Sequence, residues 1–343
     1  MRNHPLYQLT VTRMREFYRE PEAIFWVFGF PIVLAAALGI AFRNRGPSPL
    51  AVGVLAGAGD SAAVAALRAS PTLAPVVLDS ADAQQQLRTG RVALVVVPGS
   101  PMTYRLDPQR PDSRVARLEV DDALQRAAGR HDAILAREDR VTAPGSRYID
   151  FLIPGLLGMN LLGSGIWGVG FTVVSARQKK LLKRFMATPM RRSHYLLGFI
   201  LSRLLFLALE VAALVGFGWW IFDVGVRGSI LALAAVALLG SLSFAGLGLL
   251  VASRARTIEG VQGLMNLVML PMWMLSGTFF SYARFPDAMQ PIVKALPLTG
   301  LNDALRAVMI DGTSVTHLGW PLAVVAAWGL LSFVLALRIF RWR

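Results

Sequence analysis

Six separate stretches of this chain are apolar for long enough to cross a lipid bilayer. They lie near Ala23–Phe42, Ile149–Val174, Tyr195–Phe222, Gly228–Ala252, Val261–Phe280 and Leu318–Leu337. About 20 such residues cover the hydrocarbon core. Backbone at that depth must close its own hydrogen bonds, so these stretches are constrained to helices. The expected fold class is an α-helical membrane protein with six transmembrane helices. Composition agrees: 55% of residues are hydrophobic and 16% charged, with mean hydropathy +0.52, too apolar for an ordinary soluble domain. The first stretch is read as a retained span. Some twenty mostly polar residues precede it, it exceeds a typical signal-peptide core, and no clean cleavage site follows.

Between the second and third stretches lies RQKKLLKRFMATPMRRSHYLLG, residues Arg177 to Gly198. Its lysines and arginines cannot enter the bilayer and place it on the cytoplasmic side. Leu181, Leu182, Phe185 and Met186 recur at helical spacing opposite Lys180, Lys183 and Arg184, which makes a short amphipathic helix stopped near Pro189. The pattern suits contact with a soluble partner. The remaining basic residues extend the asymmetry. Arg2, Arg13, Arg15, Arg19, Arg254, Arg256, Arg338, Arg341 and Arg343 fall on the strip's side, against Arg227, Arg284, Lys294 and Arg306 on the other. Both termini are therefore expected in the cytoplasm. The net charge of +14 sits beside apolar runs, which argues for membrane topology and against a nucleic-acid partner.

Residues 1–22 read as a cytoplasmic interfacial amphipathic helix, with Tyr7, Val11, Met14 and Tyr18 on one face. Residues 23–42 form the first span. Residues 43–148 change to soluble composition and read as a small external α/β domain. Strands are expected at Leu50–Ala56, Ala93–Val97 and Met102–Leu106, and helices at Ser61–Ala69, Ala81–Leu87 and about Asp112–Arg130, with Asp60 and Asp79 as helix caps. Residues 149–343 hold spans two to six, with a cytoplasmic segment at 175–194 and an external one at 283–312. The latter is apolar and helical in pattern but broken by Pro286, Pro291 and Pro297, so short re-entrant helices are expected there.

Two motifs carry a resemblance to a known family. The first is LLKRFMATPMRRSHYLLG, with Thr188 and Pro189 in the turn and Leu196, Leu197 and Gly198 opening the next span. The second is PMWMLSGTFFSYARFPDAMQPIVKALPLTGLNDALRAVMIDG, from Pro271 to Gly312. Together, and with the order of spans and domains, the chain resembles the type-2 ATP-binding-cassette (ABC) exporter permeases. It departs in carrying Gln178, Lys179 and Lys180 where many members have a Glu and a Gly.

The resemblance implies a membrane subunit working as a dimer, with an identical or related permease, beside a separate ABC ATPase subunit in a bacterial cell (inner) membrane. It implies ATPase coupling through Arg177, Lys180, Leu181, Leu182, Lys183, Arg184, Phe185, Met186, Thr188 and Pro189. An outer gate is expected at Ser276, Gly277, Phe279, Phe280 and Pro297, and the cargo would be a drug, lipid or similar amphipathic molecule.

The residues themselves point away from enzymatic chemistry. No G-x-x-x-x-G-K-[ST] phosphate loop occurs, so ATP and magnesium are expected on the partner and no cofactor on this chain. There are no cysteines, and His4, His131, His194 and His317 sit in unrelated segments, so no metal site is expected. Glycines in GLLGMNLLGSGIWGVG read as close helix packing. Glu210, in the middle of span three, costs about 2.5–3.5 kcal/mol on insertion scales. It is expected to face the bundle, lining a path or bonding Asn160, Gln262 or Asn266, whereas Arg203 is expected to snorkel to lipid phosphates. Two other classes remain open from sequence: a membrane-anchored ligand sensor, and a polysaccharide-exporting permease. The long insertion after span one weighs against the latter.

The topology is testable in this cysteine-free chain. Single substitutions Gln84→Cys, Gln178→Cys and Arg343→Cys are expected to react with an impermeant thiol reagent in intact cells only at position 84. Labelling at position 178 in intact cells would invert the orientation.

Overall fold

The computed structural model describes residues 5–42, 49–57, 59–131, 145, 147–178, 192–255 and 257–339. In chain order its principal elements are α1 (Pro5–Tyr18) and α2 (Pro21–Ala41), then β1 (Leu50–Leu55), α3 (Asp60–Arg68), β2 (Leu73–Leu78), α4 (Ser80–Thr89), β3 (Leu94–Val97), β4 (Thr103–Leu106) and α5 (Pro111–Ala127). There follow α6 (Tyr148–Gln178), α7 (Arg192–Phe222), α8 (Ile230–Arg254), α9 (Ile258–Leu275), α10 (Gln290–Lys294), α11 (Pro297–Met309) and α12 (Gly319–Ile339). Two compact units result: Met1–Arg43 with Thr142–Arg343, and Asn44–Val141.

In the first unit, six helices among the described residues are long and apolar enough to span a membrane: α2, α6, α7, α8, α9 and α12. Helix α6 is the post of the bundle. Of its most apolar window 83% is buried, against 22% for α7, α9 and α12. Small residues allow this. A Cβ on Gly165 would stand 2.6 Å from Phe244 Cβ, and one on Gly248 would stand 2.7 Å from the Ile166 carbonyl. The backbones of α6 and α8 therefore touch, the arrangement that gives van der Waals packing where lipid removes the hydrophobic drive between helices. Helix α8 also meets α12, where Ser243 donates to the Val325 carbonyl at 2.8 Å.

The fifth span ends at Leu275, short of the Phe280 expected from hydropathy. Ser276 closes the helix and Gly277 takes φ +69°, a left-handed turn that suits glycine. The short helices α10 and α11 follow. Helix α11 has thirteen residues, too few to span. Even so, Leu298, Leu301, Leu305 and Val308 are wholly buried, packed among α6, α8 and α12.

Helix α1 packs on α7 with Phe17, whose ring lies 4.7 Å from that of Phe206. Tyr7 and Tyr18 are exposed. The apolar face expected from Tyr7, Val11, Met14 and Tyr18 is thus rotated by about one residue, because the neighbouring helix captures Phe17.

The second unit is a four-stranded sheet of order β2-β1-β3-β4. β1 pairs in parallel with β2 and β3, and β4 closes antiparallel on β3. Helices α3 and α5 cover one face through Val64, Leu67, Ala116 and Val120, and α4 covers the other through Ala83. Asp79 caps α4, accepting from the Asp82 amide at 2.7 Å. Asp60 lies one residue inside its helix, after a left-handed Gly59. Strand β2 was not expected. Its sequence LAPVVL carries Pro75, which is tolerated because β2 is an edge strand.

Candidate functional site

Two polar constellations lie inside the apolar bundle, and each joins helices that hydrophobicity alone would not register. The first centres on Glu210, which is 2% exposed. Ser164 of α6 donates to its Oε2 at 2.8 Å. Arg203, two turns earlier on α7, approaches its Oε1 at 3.9 Å and donates to Ser164 Oγ at 3.0 Å and to Ser241 Oγ of α8 at 3.3 Å. Three helices therefore meet on one ion pair and two hydroxyls. Arg203 does not snorkel outward. The carboxylate within reach offers a better partner than a distant phosphate. Taking either charge alone out of this cluster would leave the other buried without compensation.

The second constellation pins α11 to the turn after α9. The Asn302 amide donates to the Ser276 carbonyl at 3.0 Å and to Thr278 Oγ1 at 3.3 Å. Arg306 donates to the carbonyls of Gly277 and, at 3.4 Å, Phe151, and its guanidinium lies 3.6 Å from the centre of the Phe151 ring. Tyr148 donates to the Phe279 carbonyl at 3.1 Å. Tyr282 donates to Asp303 at 3.0 Å, and burial together with that neighbour pushes its phenol up to about 12, so it stays a donor. Three carbonyls of the turn that follows α9, those of Ser276, Gly277 and Phe279, thereby gain donors. Helix α6 can approach because Gly155 and Gly158 face the Thr278 carbonyl and Asn302; any Cβ there would collide.

Of the residues singled out from sequence, Ser276, Gly277 and Pro297 are buried within this second constellation or beside it, Phe279 is half-buried and Phe280 exposed. Asn160 is buried on α6, Gln262 is half-buried and Asn266 exposed on α9. Glu210 bonds Ser164 and Arg203 instead of these three amides. Arg177 reaches the Ala255 carbonyl at 3.5 Å, tying the end of α6 to the end of α8. Lys180, Leu181, Leu182, Lys183, Arg184, Phe185, Met186, Thr188 and Pro189 lie outside the described residues. Among the described residues no cluster of His, Asp or Glu is suited to a metal. Sequence reasoning missed Asn302 and Arg306. Their signal was an i, i+4 polar pair on one face of a helix too short to span.

Comparison with known proteins gives a family model described as ABC-2 type transporter, matching residues 120–310. The chain is 31% identical to Nodulation protein J of Rhizobium meliloti (strain 1021) over 133 residues, 39% of this chain and 48% of that protein. It is 24% identical to the Linearmycin resistance permease protein LnrN of Bacillus subtilis (strain 168) over 174 residues, 51% of this chain and 45% of that one. With the Probable multidrug ABC transporter permease YbhR of Escherichia coli (strain K12) it shares 21% identity over 187 residues, 54% and 51% of the two chains. The chain thus spans about half the length of these relatives.

The ion pair makes a stability prediction. Glu210→Leu should lower unfolding stability by about 3 kcal/mol, because Arg203 stays buried without its counterion. The double change Arg203→Met with Glu210→Leu should recover most of that loss. Melting of the purified protein in detergent checks this, and additive losses in the double variant would mean that the two charges do not act as a pair.

Proposed function

The chain belongs to the ABC-2 type transporter family, and on that premise we propose that it is the permease subunit of an exporter driven by a separate ATPase. The observation that carries this reading is the family match over residues 120–310, which takes in spans two to five, the basic strip and α11. The absence of a phosphate loop from the sequence supports ATP and magnesium being bound by the partner. A second copy, or a related permease, would complete the pathway. The chain would sit in a bacterial inner membrane with both termini in the cytoplasm. Cargo would be hydrophobic or amphipathic. The linearmycin-resistance and multidrug names of two relatives favour that class.

The geometry supports a mechanism. Helix α6 has 31 residues, about 45 Å of rigid rod. At its start Gly155 and Gly158 abut the Thr278 carbonyl and Asn302, the proposed outer gate of Ser276, Gly277, Phe279, Phe280 and Pro297. At its other end Arg177 opens the basic segment. ATPase closure that pushes residues 175–194 would move α6 and α7 together, since Ser164, Arg203 and Glu210 join them. That motion would reach the turn after α9 and bias it between closed and open packings. Glu210 then serves as a coupling element between helices, and Asn160, Gln262 and Asn266 as candidates for the path.

Coupling is tested in the strip. Reversing Lys183 and Arg184 to Glu, or changing Leu181 and Phe185 to Asp, should leave the protein in the membrane but abolish co-purification of the ATPase and substrate-stimulated hydrolysis. Apolar knobs seat in a partner's groove and basic residues steer their approach. Unchanged values in both variants would move the contact to the loop at residues 253–259.

A further inference from the structure

A cleft of about 590 Å³ lies where the corner between α1 and α2 faces α6 and α9. Its volume is in the range of small-molecule sites. Trp26, Trp167 and Phe171 form apolar walls, and the rings of Trp167 and Phe171 stand 6.5 Å apart at 34°. Gln262 supplies one neutral amide. The rim is acidic: Glu20 and Glu22 face the cleft beside a single guanidinium, Arg19. On a chain carrying 35 basic residues against 21 acidic ones, this reverses the prevailing sign.

Neither glutamate side chain has a hydrogen-bond or ion-pair partner among the described residues. Glu20 precedes α2 without capping it. Glu22 lies in the first turn of α2, where it complements the helix dipole, but that leaves its carboxylate oxygens free to accept. Two carboxylates against one guanidinium, above aromatic faces, match one ligand chemistry, a positive charge carried on an apolar body. The carboxylates attract the charge and the rings take both the body and the cation's edge.

We propose that this cleft binds amphipathic organic cations. It rests on the permease reading for its consequence, selection of cationic cargo, while binding itself needs no ATPase. An anionic amphiphile of the same shape would meet the carboxylates and be rejected.

The test uses the full chain in lipid nanodiscs, with tetraphenylphosphonium and tetraphenylborate as probes of nearly equal shape and opposite charge. Binding is measured after subtraction of empty nanodiscs. Wild type should bind tetraphenylphosphonium saturably. Glu20→Gln with Glu22→Gln should weaken it about tenfold and strengthen the binding of tetraphenylborate, which the carboxylates no longer repel. Trp167→Ala should weaken it also, and melting checks that each variant is folded. Equal affinity of the carboxamide variant and wild type overturns the proposal. So does the absence of saturable binding by wild type, the outcome if a second copy fills the cleft. Adding phosphatidylethanolamine to the nanodiscs separates sources: competition would assign the cleft to a lipid amine, and none would assign it to free cations. Binding without export by the ATPase complex would remove the exporter reading alone, and export unaffected by the carboxamide changes would remove the cleft alone.

Discussion

A helix too short to cross the membrane is buried in this bundle, and most of the surrounding structure follows from accommodating it. Hydrocarbon offers no water to an open carbonyl, so the turn that follows Leu275 needs donors from elsewhere in the chain. Asn302 and Arg306 on α11 supply them, at the carbonyls of Ser276 and Gly277. Their reach sets where α11 lies. Gly155 and Gly158 then become necessary on α6, because a side chain at either position would displace the donors or their acceptors. The loop before α8 is tied to the same helix, with the Gly228 amide donating to the Val308 carbonyl at 3.0 Å.

The constellation around Glu210 works on the same logic on the span helices. Between helices in lipid, apolar contact is worth little beyond van der Waals packing, whereas a hydrogen bond has no water to compete with it. Ser164, Arg203, Glu210 and Ser241 therefore fix α6, α7 and α8 in one register. A group of charges so placed is costly and needs every member. That same interdependence makes it suited to carrying displacement from one helix to the next.

Much of this was legible in the sequence. Long apolar runs declare spans because the hydrocarbon thickness sets their length, and the prolines at 291 and 297 declare the break before α11. What escaped depended on neighbours. Arg203 reads as a snorkelling residue on an isolated helix, and only the placement of Ser164 and Ser241 turns it inward. The inner face of α1 shifted to Phe17 because Phe206 lies opposite. Strand β2 was hidden by Pro75, whose tolerance depends on an edge position that no local pattern reveals. Arg306 was counted as a charge outside the membrane, although its acceptors are backbone carbonyls far away in the chain. The basic strip and its leucines could be read only as a pattern, and they lie outside the described residues.

In the proposed function the turn after α9, held by Asn302 and Arg306, is the gate that ATP hydrolysis opens. Ser276 is wholly buried in the structure, so Ser276→Cys supplies a silent reporter in a chain without other cysteines. In vesicles carrying the permease with its ATPase, the rate of thiol labelling at position 276 should be low without nucleotide and rise during ATP turnover. A labelling rate at position 276 that is the same with and without turnover would contradict it.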